Sequence, residues 1–331
     1  FQYDILGQRT AMTDTTGTTT YEYDSLGRLV TMTAGSGKQV KYTYDNADNL
    51  ASISYPDGLE VSYEYDQNDN IVKITDRNAG VTTYAYDALN RLTETVRPNG
   101  IQTTYAYDAE DQITEVRTTC FCGHLISSYT YEYNESGYVS KETAKECLFT
   151  SDQGYGHKGG EINWCAHTDA NPWQNQNQVW ETTTRTFTYD ENGRLTECKE
   201  DKGSFRKITY SYTYDEVGNR TSARKKESFK SDQYASYTYN ADNQMVAATY
   251  CDGRLKKEYT YEYDANGNLT VESQKDCVTM SYQYDVENRL AAVYDKQKLL
   301  MANAYDGDGN RVFQLNYNAE AVCGYGKNVS G

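Results

Sequence analysis

The sequence predicts an all-β protein of stacked antiparallel β-hairpins that coil into a solenoid or form part of a hollow β-shell. A Tyr-Asp or Tyr-Asn pair occurs thirteen times in one register, and seven of the twelve intervals between pairs are 20 or 21 residues long. A fixed period of this kind indicates one supersecondary unit stacked many times. We therefore expect a single repeat domain over residues 1–331, with an irregular insertion at about 134–187.

The first strand of each repeat is predicted from the residues before the pair. In Val40-Lys-Tyr42-Thr-Tyr44, large residues alternate with polar ones, which is the period of a half-buried strand. Ten of the thirteen repeats place another Tyr two residues before the Tyr of the pair. Because the chain contains 34 Tyr, many hydroxyls must find partners in one another, in water or in the backbone.

A tight turn and a second strand follow each pair. Gly, Asn or Asp stands three residues after the Asp or Asn of every pair, and these residues tolerate positive φ. The side chain of the paired Asp or Asn can accept N–H bonds across this turn. An apolar residue such as Leu29 or Leu50 then opens a second strand, and sequences such as Tyr55-Pro56-Asp57-Gly58 close it with another turn. Thirteen hairpins of this kind give a meander of about 26 strands, which is too long to remain one flat sheet.

The pairs and their turns are interpreted as folding signals with no catalytic role. The residues assigned this structural role are Tyr23, Asp24, Gly27, Tyr44, Asp45, Tyr65, Asp66, Tyr86, Asp87, Tyr107, Asp108, Tyr263, Asp264, Gly267, Tyr284 and Asp285. The same turn explains Asp306-x-Asp308-x-Asn310, which otherwise resembles the start of a calcium loop. With three His in 331 residues and no phosphate-loop or dinucleotide motif, the sequence predicts no enzyme and no cofactor.

The segment Tyr21-Glu-Tyr23-Asp24-Ser-Leu-Gly27-Arg28-Leu29 resembles the YD repeat of bacterial Rhs proteins, insecticidal toxin-complex shells and animal teneurins. This resemblance implies a large hollow β-shell, which encloses a C-terminal toxin in bacterial members and supports cell-surface adhesion in teneurins. Bacterial members usually end the shell with an Asp-Pro-x-Gly-Leu autoprotease motif. The three prolines here, Pro56, Pro98 and Pro172, do not follow Asp, so the motif is absent and no catalytic residue is implied.

We therefore expect a non-catalytic segment of a longer exported protein, secreted or at the cell surface, whose partner is the remainder of its own polypeptide. A net charge of −16 argues against nucleic acid as a partner, and no apolar stretch is long enough to insert into a membrane. The alternative is an adhesion or carbohydrate-binding module that recognises a glycan or a cell-surface protein. Its candidate ligand-binding residues are Trp164, Trp173 and Trp180 in the insertion, although these rings could instead pack within a folded loop.

Eight cysteines leave three interpretations open. The residue types in Cys120, Cys122, His124, Cys165 and His167 fit zinc, but their spacing is tighter than usual. If the protein is exported, disulfides are favoured. Assuming that equivalent positions in successive hairpins lie side by side, the expected pairs are Cys120–Cys147 and Cys251–Cys277. Free buried thiols are the third interpretation.

Overall fold

The computed structural model describes residues 1–14, 17–148, 179–203, 205–275 and 277–317. These residues form 26 β-strands and no helix, which confirms the all-β prediction. Consequently, the described part of the chain contains no helix that is long and apolar enough to cross a membrane. The strands are β1 (Gln2–Tyr3), β2 (Arg9–Asp14), β3 (Gly17–Tyr23), β4 (Leu29–Thr33), β5 (Gln39–Tyr44), β6 (Leu50–Ser54), β7 (Glu60–Tyr65), β8 (Ile71–Thr75), β9 (Val81–Tyr86), β10 (Leu92–Val96), β11 (Gln102–Tyr107), β12 (Ile113–Thr119), β13 (Leu125–Tyr133), β14 (Val139–Leu148), β15 (Val179–Tyr189), β16 (Leu195–Asp201), β17 (Lys207–Tyr214), β18 (Arg220–Glu227), β19 (Gln233–Tyr239), β20 (Met245–Asp252), β21 (Leu255–Tyr263), β22 (Leu269–Gln274), β23 (Cys277–Tyr284), β24 (Leu290–Asp295), β25 (Lys298–Tyr305) and β26 (Arg311–Asn316).

The chain divides into two compact units. The first comprises Phe1–Gln2, Ala11–Thr18 and Tyr210–Gly331, and the second comprises Tyr3–Thr10 and Thr19–Thr209. In the second unit, β3 to β16 form an antiparallel meander in which each strand pairs with the next. In the first unit, β18 to β26 do the same. The prediction of one repeat domain stays a prediction.

The alternation of each strand separates a half-buried face from an exposed one. In β5, Val40, Tyr42 and Tyr44 are half-buried, whereas Gln39, Lys41 and Thr43 are exposed. The residues below 9% exposure are mostly small, such as Ala144, Ala235 and Ala248, and no large side chain among the described residues is fully buried. In β5 the tyrosine stripe is therefore the better covered face.

The insertion is more regular at its borders than the sequence suggests. Within 134–187, β14 (Val139–Leu148) and the first part of β15 pair over eight residues from Lys141↔Thr186 to Leu148↔Val179. These flanks form an ordinary hairpin with long strands. The segment that departs from the repeat is 149–178, which lies outside the described residues.

Every predicted turn residue has the expected backbone conformation. In the turn from Asp24 to Arg28, for example, the Asp24 N–H donates to the Arg28 carbonyl at 2.9 Å and the Gly27 N–H donates to the Asp24 carbonyl at 3.0 Å. Gly27 has a φ of +83°, and the corresponding residue has positive φ in all thirteen turns. Five-residue turns with the same bonds also close the hairpins at their other end, as at Tyr55–Leu59.

Ala79 has a backbone conformation that is energetically unfavourable for alanine. It holds a φ of +61° in the turn from Asp76 to Gly80. The left-handed region costs an L-residue about 1–2 kcal/mol, whereas glycine adopts it freely at an entropic cost of about 0.5–1 kcal/mol. We expect Ala79→Gly to raise the free energy of unfolding by about 0.5–1 kcal/mol in urea titrations. Ala47→Gly, at a turn position without positive φ, should lower the free energy of unfolding. If Ala79→Gly lowered it by the same amount, the strain argument would be contradicted.

Candidate functional site

The recurring structural site of this chain is the Tyr-Asp turn, and its first component is the carboxylate. Asp24 Oδ1 accepts hydrogen bonds from the Leu26 N–H at 3.0 Å and the Arg28 N–H at 2.9 Å. This confirms the predicted role of the side chain across the turn. The same two bonds form at Asp4, Asp45, Asp66, Asp87, Asp108, Asn134, Asp190, Asn240, Asp264, Asp285 and Asp306.

These bonds lower the pKa of several turn carboxyls. The side-chain amide of Asn70 is the main cause of the lowered pKa of Asp66, and the N–H groups of Asn70 and Asn68 add to it against the opposing effect of burial. At Asp24, the Arg28 N–H is the main cause, with burial opposing it and the Arg28 guanidinium adding to it. Such carboxylates stabilise the turns while they remain ionised.

The second component is the tyrosine of the pair, which joins one hairpin to the hairpin before it. The Tyr44 hydroxyl donates to the Leu29 carbonyl at 2.8 Å, and the Tyr65 hydroxyl donates to the Leu50 carbonyl at 2.9 Å. The structure describes this contact for ten tyrosines of the pairs; besides Tyr44 and Tyr65 they are Tyr23, Tyr86, Tyr107, Tyr133, Tyr189, Tyr239, Tyr263 and Tyr305. Burial, and then the Asp45 carboxylate, raises the pKa of Tyr65, so its hydroxyl remains a donor. We call this contact the tyrosine bridge.

The accepting carbonyl lies where the ladder between two hairpins ends. Strands β4 and β5 begin to pair at Thr31, two residues after Leu29. Nine junctions between successive hairpins have both a tyrosine bridge and a described ladder. At each of them, the residue whose carbonyl accepts the bond precedes the first paired residue by two positions. Since the register does not include the accepting residue, the tyrosine hydroxyl supplies its carbonyl with a hydrogen bond that the ladder does not.

The residue after the positive-φ position forms the third component, which sequence reasoning missed. Arg28 Nε donates to Asp24 Oδ2 at 2.7 Å, while its Nη1 reaches Asp48 Oδ1 of the next turn at 2.6 Å. Its guanidinium also lies 4.6 Å from the ring centre of Tyr44. Arg91 makes the equivalent contacts in its own repeat. Arg28 therefore connects three parts of two successive repeats, although its ion pairs are at the surface and individually weak.

This contact explains why six turns use Asp or Asn instead of glycine at positive φ. Asn49 Nδ2 donates to Asp69 Oδ1 at 2.7 Å, and Asn70 Nδ2 donates to Asn90 Oδ1 at 3.0 Å. The accepting side chains in the six turns are Asp48, Asp69, Asn90, Asp111, Asn243 and Asn288. The signal that could have found this contact is an Arg or Asn directly after the positive-φ position, with Asp or Asn in place of glycine one repeat later.

In two turns that do have glycine, a side chain of the preceding repeat occupies the space beside it. Gln8 Nε2 donates to the Gly27 carbonyl at 3.2 Å, and a Cβ on Gly27 would lie only 2.8 Å from that nitrogen. A Cβ on Gly193 would likewise clash with the Tyr138 hydroxyl. At Gly27 and Gly193, the preceding repeat therefore fills the space that a side chain would need.

A row of charges crosses three strands next to the insertion. Arg185 on β15 donates to Glu142 of β14 on one side and, at 2.8 Å, to Glu200 of β16 on the other. Glu200 is 8% exposed, and Lys202 is also near it. Burial alone would raise the pKa of Glu200, but the Arg185 hydrogen bond and the Lys202 charge outweigh it and lower the pKa. These groups form ion pairs that connect β14, β15 and β16.

A trough of about 680 Å³ lies on the sheet of the first unit. Ala223, Ala235, Tyr250 and Tyr259 are among its lining residues, and the two tyrosine rings meet edge to face at 5.7 Å. Cross-strand pairing places Ala235 opposite both Ala223 and Tyr250. The small side chains of Ala223 and Ala235 leave room for the trough, and the rings of Tyr250 and Tyr259 form part of its wall.

Of the three candidate ligand-binding tryptophans, Trp164 and Trp173 lie outside the described residues. Trp180 belongs to β15, is half-buried, and lies opposite Cys147 on β14. The Lys145 Nζ lies 4.9 Å from its ring centre. Trp180 is thus part of a strand and in contact with a cation of its own sheet, and glycan recognition by the insertion stays a prediction.

Both predicted disulfides are wrong. Cys120 is bonded to Cys122, while Cys147, Cys251 and Cys277 are free thiols. Equivalent positions of successive hairpins are separated by an intervening strand, so they lie about 9–10 Å apart, beyond the reach of a disulfide. Two whole strands, β21 and β22, separate Cys251 from Cys277.

Two of the free thiols, Cys147 and Cys198, are poor nucleophiles. Burial is the main cause of the raised pKa of the thiols of Cys147 and Cys198, which disfavours the reactive thiolate. Cys165, His167 and Cys323 lie outside the described residues. Of the weak zinc candidates, the structure brings Cys120, Cys122 and His124 together, with their ligand atoms within 4.8 Å of one another.

The turn carboxylates predict an acid-dependent stability. The folded pKa of Asp66 lies below its unfolded value of about 3.9, so its contribution is complete above pH 4 and is lost as pH falls through the folded pKa. Asp66→Asn should keep both N–H bonds, as Asn134 and Asn240 do natively, but remove this titration. We expect the urea midpoint of the wild type to fall more steeply than that of the variant between about pH 5 and pH 2. Parallel curves would contradict the assignment.

Comparison with known proteins agrees with this architecture. Residues 1–76 and 165–321 match the family model described as Teneurin YD-shell, and residues 65–101 and 86–119 match the RHS Repeat model. No curated protein matches the sequence.

Solved structures are also similar at low identity, and two of them illustrate the match. The crystal structure of TcdB2-TccC3 without its hypervariable C-terminal region is 15% identical with a TM-score of 0.42, over 91% of this chain and 18% of that one. A Tc holotoxin pore from Photorhabdus luminescens is 14% identical with a TM-score of 0.42, over 93% of this chain and 18% of that one. This chain spans about a fifth of the length of these structures. Because the YD-shell model matches more than half of its residues, the chain belongs to the Teneurin YD-shell family and carries RHS repeats.

Proposed function

We propose that this chain is a non-catalytic wall segment of a hollow β-shell, and that the longer polypeptide containing it encloses a C-terminal toxin or other effector. The observation that carries this proposal is the tyrosine bridge, which repeats with one geometry at ten positions. A continuous wall of stacked hairpins requires the same contact between each hairpin and the next. Family membership supports the same role.

The chemistry of the described side chains supports a structural role. Arg185 is held between Glu142 and Glu200, and the turn carboxylates are occupied by N–H bonds. The hydrogen bond from the Tyr129 hydroxyl to Glu146 raises the pKa of Tyr129 to about 12, which makes it a weaker acid. These groups stabilise strands and turns, and they do not form a nucleophile–base pair.

The proposed partner of the chain is the remainder of its own polypeptide, namely further YD repeats and the enclosed effector. The proposed location is outside the cell, either secreted or at the surface, as part of an exported protein. The acidic composition, with a net charge of −16, fits a soluble wall that does not bind nucleic acid. The alternative of adhesion through the Trp-rich insertion gains no support from Trp180, which lies within β15 beside Lys145.

Protease protection tests the enclosure. The longer polypeptide is digested with increasing protease, and survival of the region after the repeats is followed by mass spectrometry. We expect that region to survive at protease concentrations that destroy the same region expressed alone, because a closed wall excludes the enzyme. Electron microscopy of the same sample should show a hollow particle with internal density.

The matched control joins the downstream region to an unrelated domain through a flexible linker, which gives covalent attachment without a wall. The control should be digested as fast as the isolated region. If the natural polypeptide loses its downstream region at that same rate, or if its particles contain no internal density, enclosure is ruled out.

A further inference from the structure

The turn between β12 and β13 carries three metal-ligating side chains at alternating positions. In the sequence Cys120-Phe-Cys122-Gly-His124, the Cys120 N–H donates to the His124 carbonyl at 2.9 Å and the Gly123 N–H donates to the Cys120 carbonyl at 2.9 Å. Gly123 has a φ of +80°. These are the bonds and the conformation of the Tyr-Asp turns, although this turn closes the opposite end of a hairpin.

This turn geometry brings its first and fifth side chains together. Asp24 and Arg28 occupy these positions and lie 2.7 Å apart, and the side chains of Asp66 and Asn70 are 3.0 Å apart. The same contact, at 2.7–3.1 Å, joins Asp87–Arg91, Asp190–Arg194, Asp215–Asn219, Asn240–Gln244, Asp264–Asn268, Asp285–Arg289 and Asp306–Asn310. In the 120–124 turn the first and fifth positions are Cys120 and His124. Their convergence is therefore a property of the turn.

The third residue of the turn, Cys122, supplies the third metal-ligating side chain. Cys122 Sγ lies 3.0 Å from His124 Nδ1, and the ligand atoms of the three residues all lie within 4.8 Å of one another. Two thiolates and an imidazole are the donors that zinc and cuprous ions prefer. In the structure the two sulfurs are joined in a disulfide, which withholds both of them from a metal.

The position of the turn suits an accessible and ordered site. His124 is exposed and Cys122 is half-buried, so a metal ion or a small reductant can reach them, while Cys120 is buried at 7% exposure. Phe121 Cβ lies against Gly100 of the neighbouring turn, closely enough that a Cβ on Gly100 would be 2.6 Å from it. This contact fixes the turn against its neighbour in the second unit and limits the rearrangement that binding requires.

We infer that the Cys120-Cys122-His124 turn is a redox-gated site for one thiophilic metal ion, Zn²⁺ or Cu⁺. A dithiol reductant breaks the Cys120–Cys122 bond, gives two electrons and two protons to the sulfurs, and becomes a disulfide itself. The ion then replaces the two thiol protons, which pass to solvent, and also binds the imidazole. Three protein ligands leave a fourth position for water or a small ligand. A low-molecular-weight disulfide reverses the change: it takes two electrons from the two thiolates and two protons from solvent, becomes two thiols, re-forms the Cys120–Cys122 bond and so releases the ion.

Cobalt titration of the full chain tests this inference. The protein is reduced with a dithiol under argon, desalted and titrated with Co²⁺, whose thiolate charge-transfer and ligand-field bands report tetrahedral binding. We expect one equivalent to bind to the reduced chain and none to the oxidised chain. Zn²⁺ should then bleach the cobalt bands, and a separate competition against a coloured Cu⁺ chelator measures the affinity for Cu⁺.

Variants locate the site. Cys120→Ser and Cys122→Ser should abolish the charge-transfer band, and His124→Ala should weaken metal binding, because each removes one ligand. Cys251→Ser removes a half-buried free thiol on β20 and should leave the titration unchanged. His124 is exposed, so its variant tests the site even if a cysteine variant fails to fold, and circular dichroism checks folding in each case.

Three results would overturn the inference: no metal bound by the reduced wild type, equal binding by the oxidised chain, or unchanged cobalt bands in folded Cys120→Ser and His124→Ala variants. The last result would place the bound ion on other cysteines. Failure of the enclosure experiment has no bearing on this site, because the ligands belong to one turn.

Discussion

The structure depends on a backbone carbonyl that the ladder between hairpins leaves without a partner. Strands β4 and β5 pair from Thr31 onward, and the Leu29 carbonyl beyond that point receives the Tyr44 hydroxyl instead. An unsatisfied carbonyl in a half-buried seam costs about 1–3 kcal/mol, so the hydroxyl stabilises each junction. Phenylalanine has the same ring but cannot supply this bond, which accounts for the preference for tyrosine over phenylalanine at the pair.

The rest of the motif supports this junction. The Asp24 carboxylate holds the turn that places the tyrosine, and Gly27 supplies the backbone conformation that the turn requires. Arg28 connects its own turn to the next one and stacks on Tyr44, the ring that forms the next bridge. Because the described sheet fully buries no large side chain, repeated small contacts of this kind replace a conventional core.

Local features were predictable from the sequence, and contacts between repeats were not. The alternation in Val40–Tyr44 predicts β5, and the residue types at Gly27 and Asp48 predict positive φ, because both depend on neighbouring residues only. The disulfide predictions failed because they placed successive hairpins side by side without counting the strand between them. The contact of Arg28 with Asp48 was missed for a related reason, since it joins residues 20 positions apart.

Parallel sets of Tyr→Phe substitutions test the central claim. One set removes the bridging hydroxyls of Tyr44, Tyr65, Tyr86 and Tyr107, and the other removes those of Tyr42, Tyr63, Tyr84 and Tyr105, which have no hydrogen-bond partner among the described residues. Both sets retain every ring, and urea unfolding of the full chain measures their stability. We predict that the first set lowers the free energy of unfolding by about 1 kcal/mol per hydroxyl and that the second changes it little. Equal losses in the two sets would show that the tyrosine bridge does not hold the hairpins together.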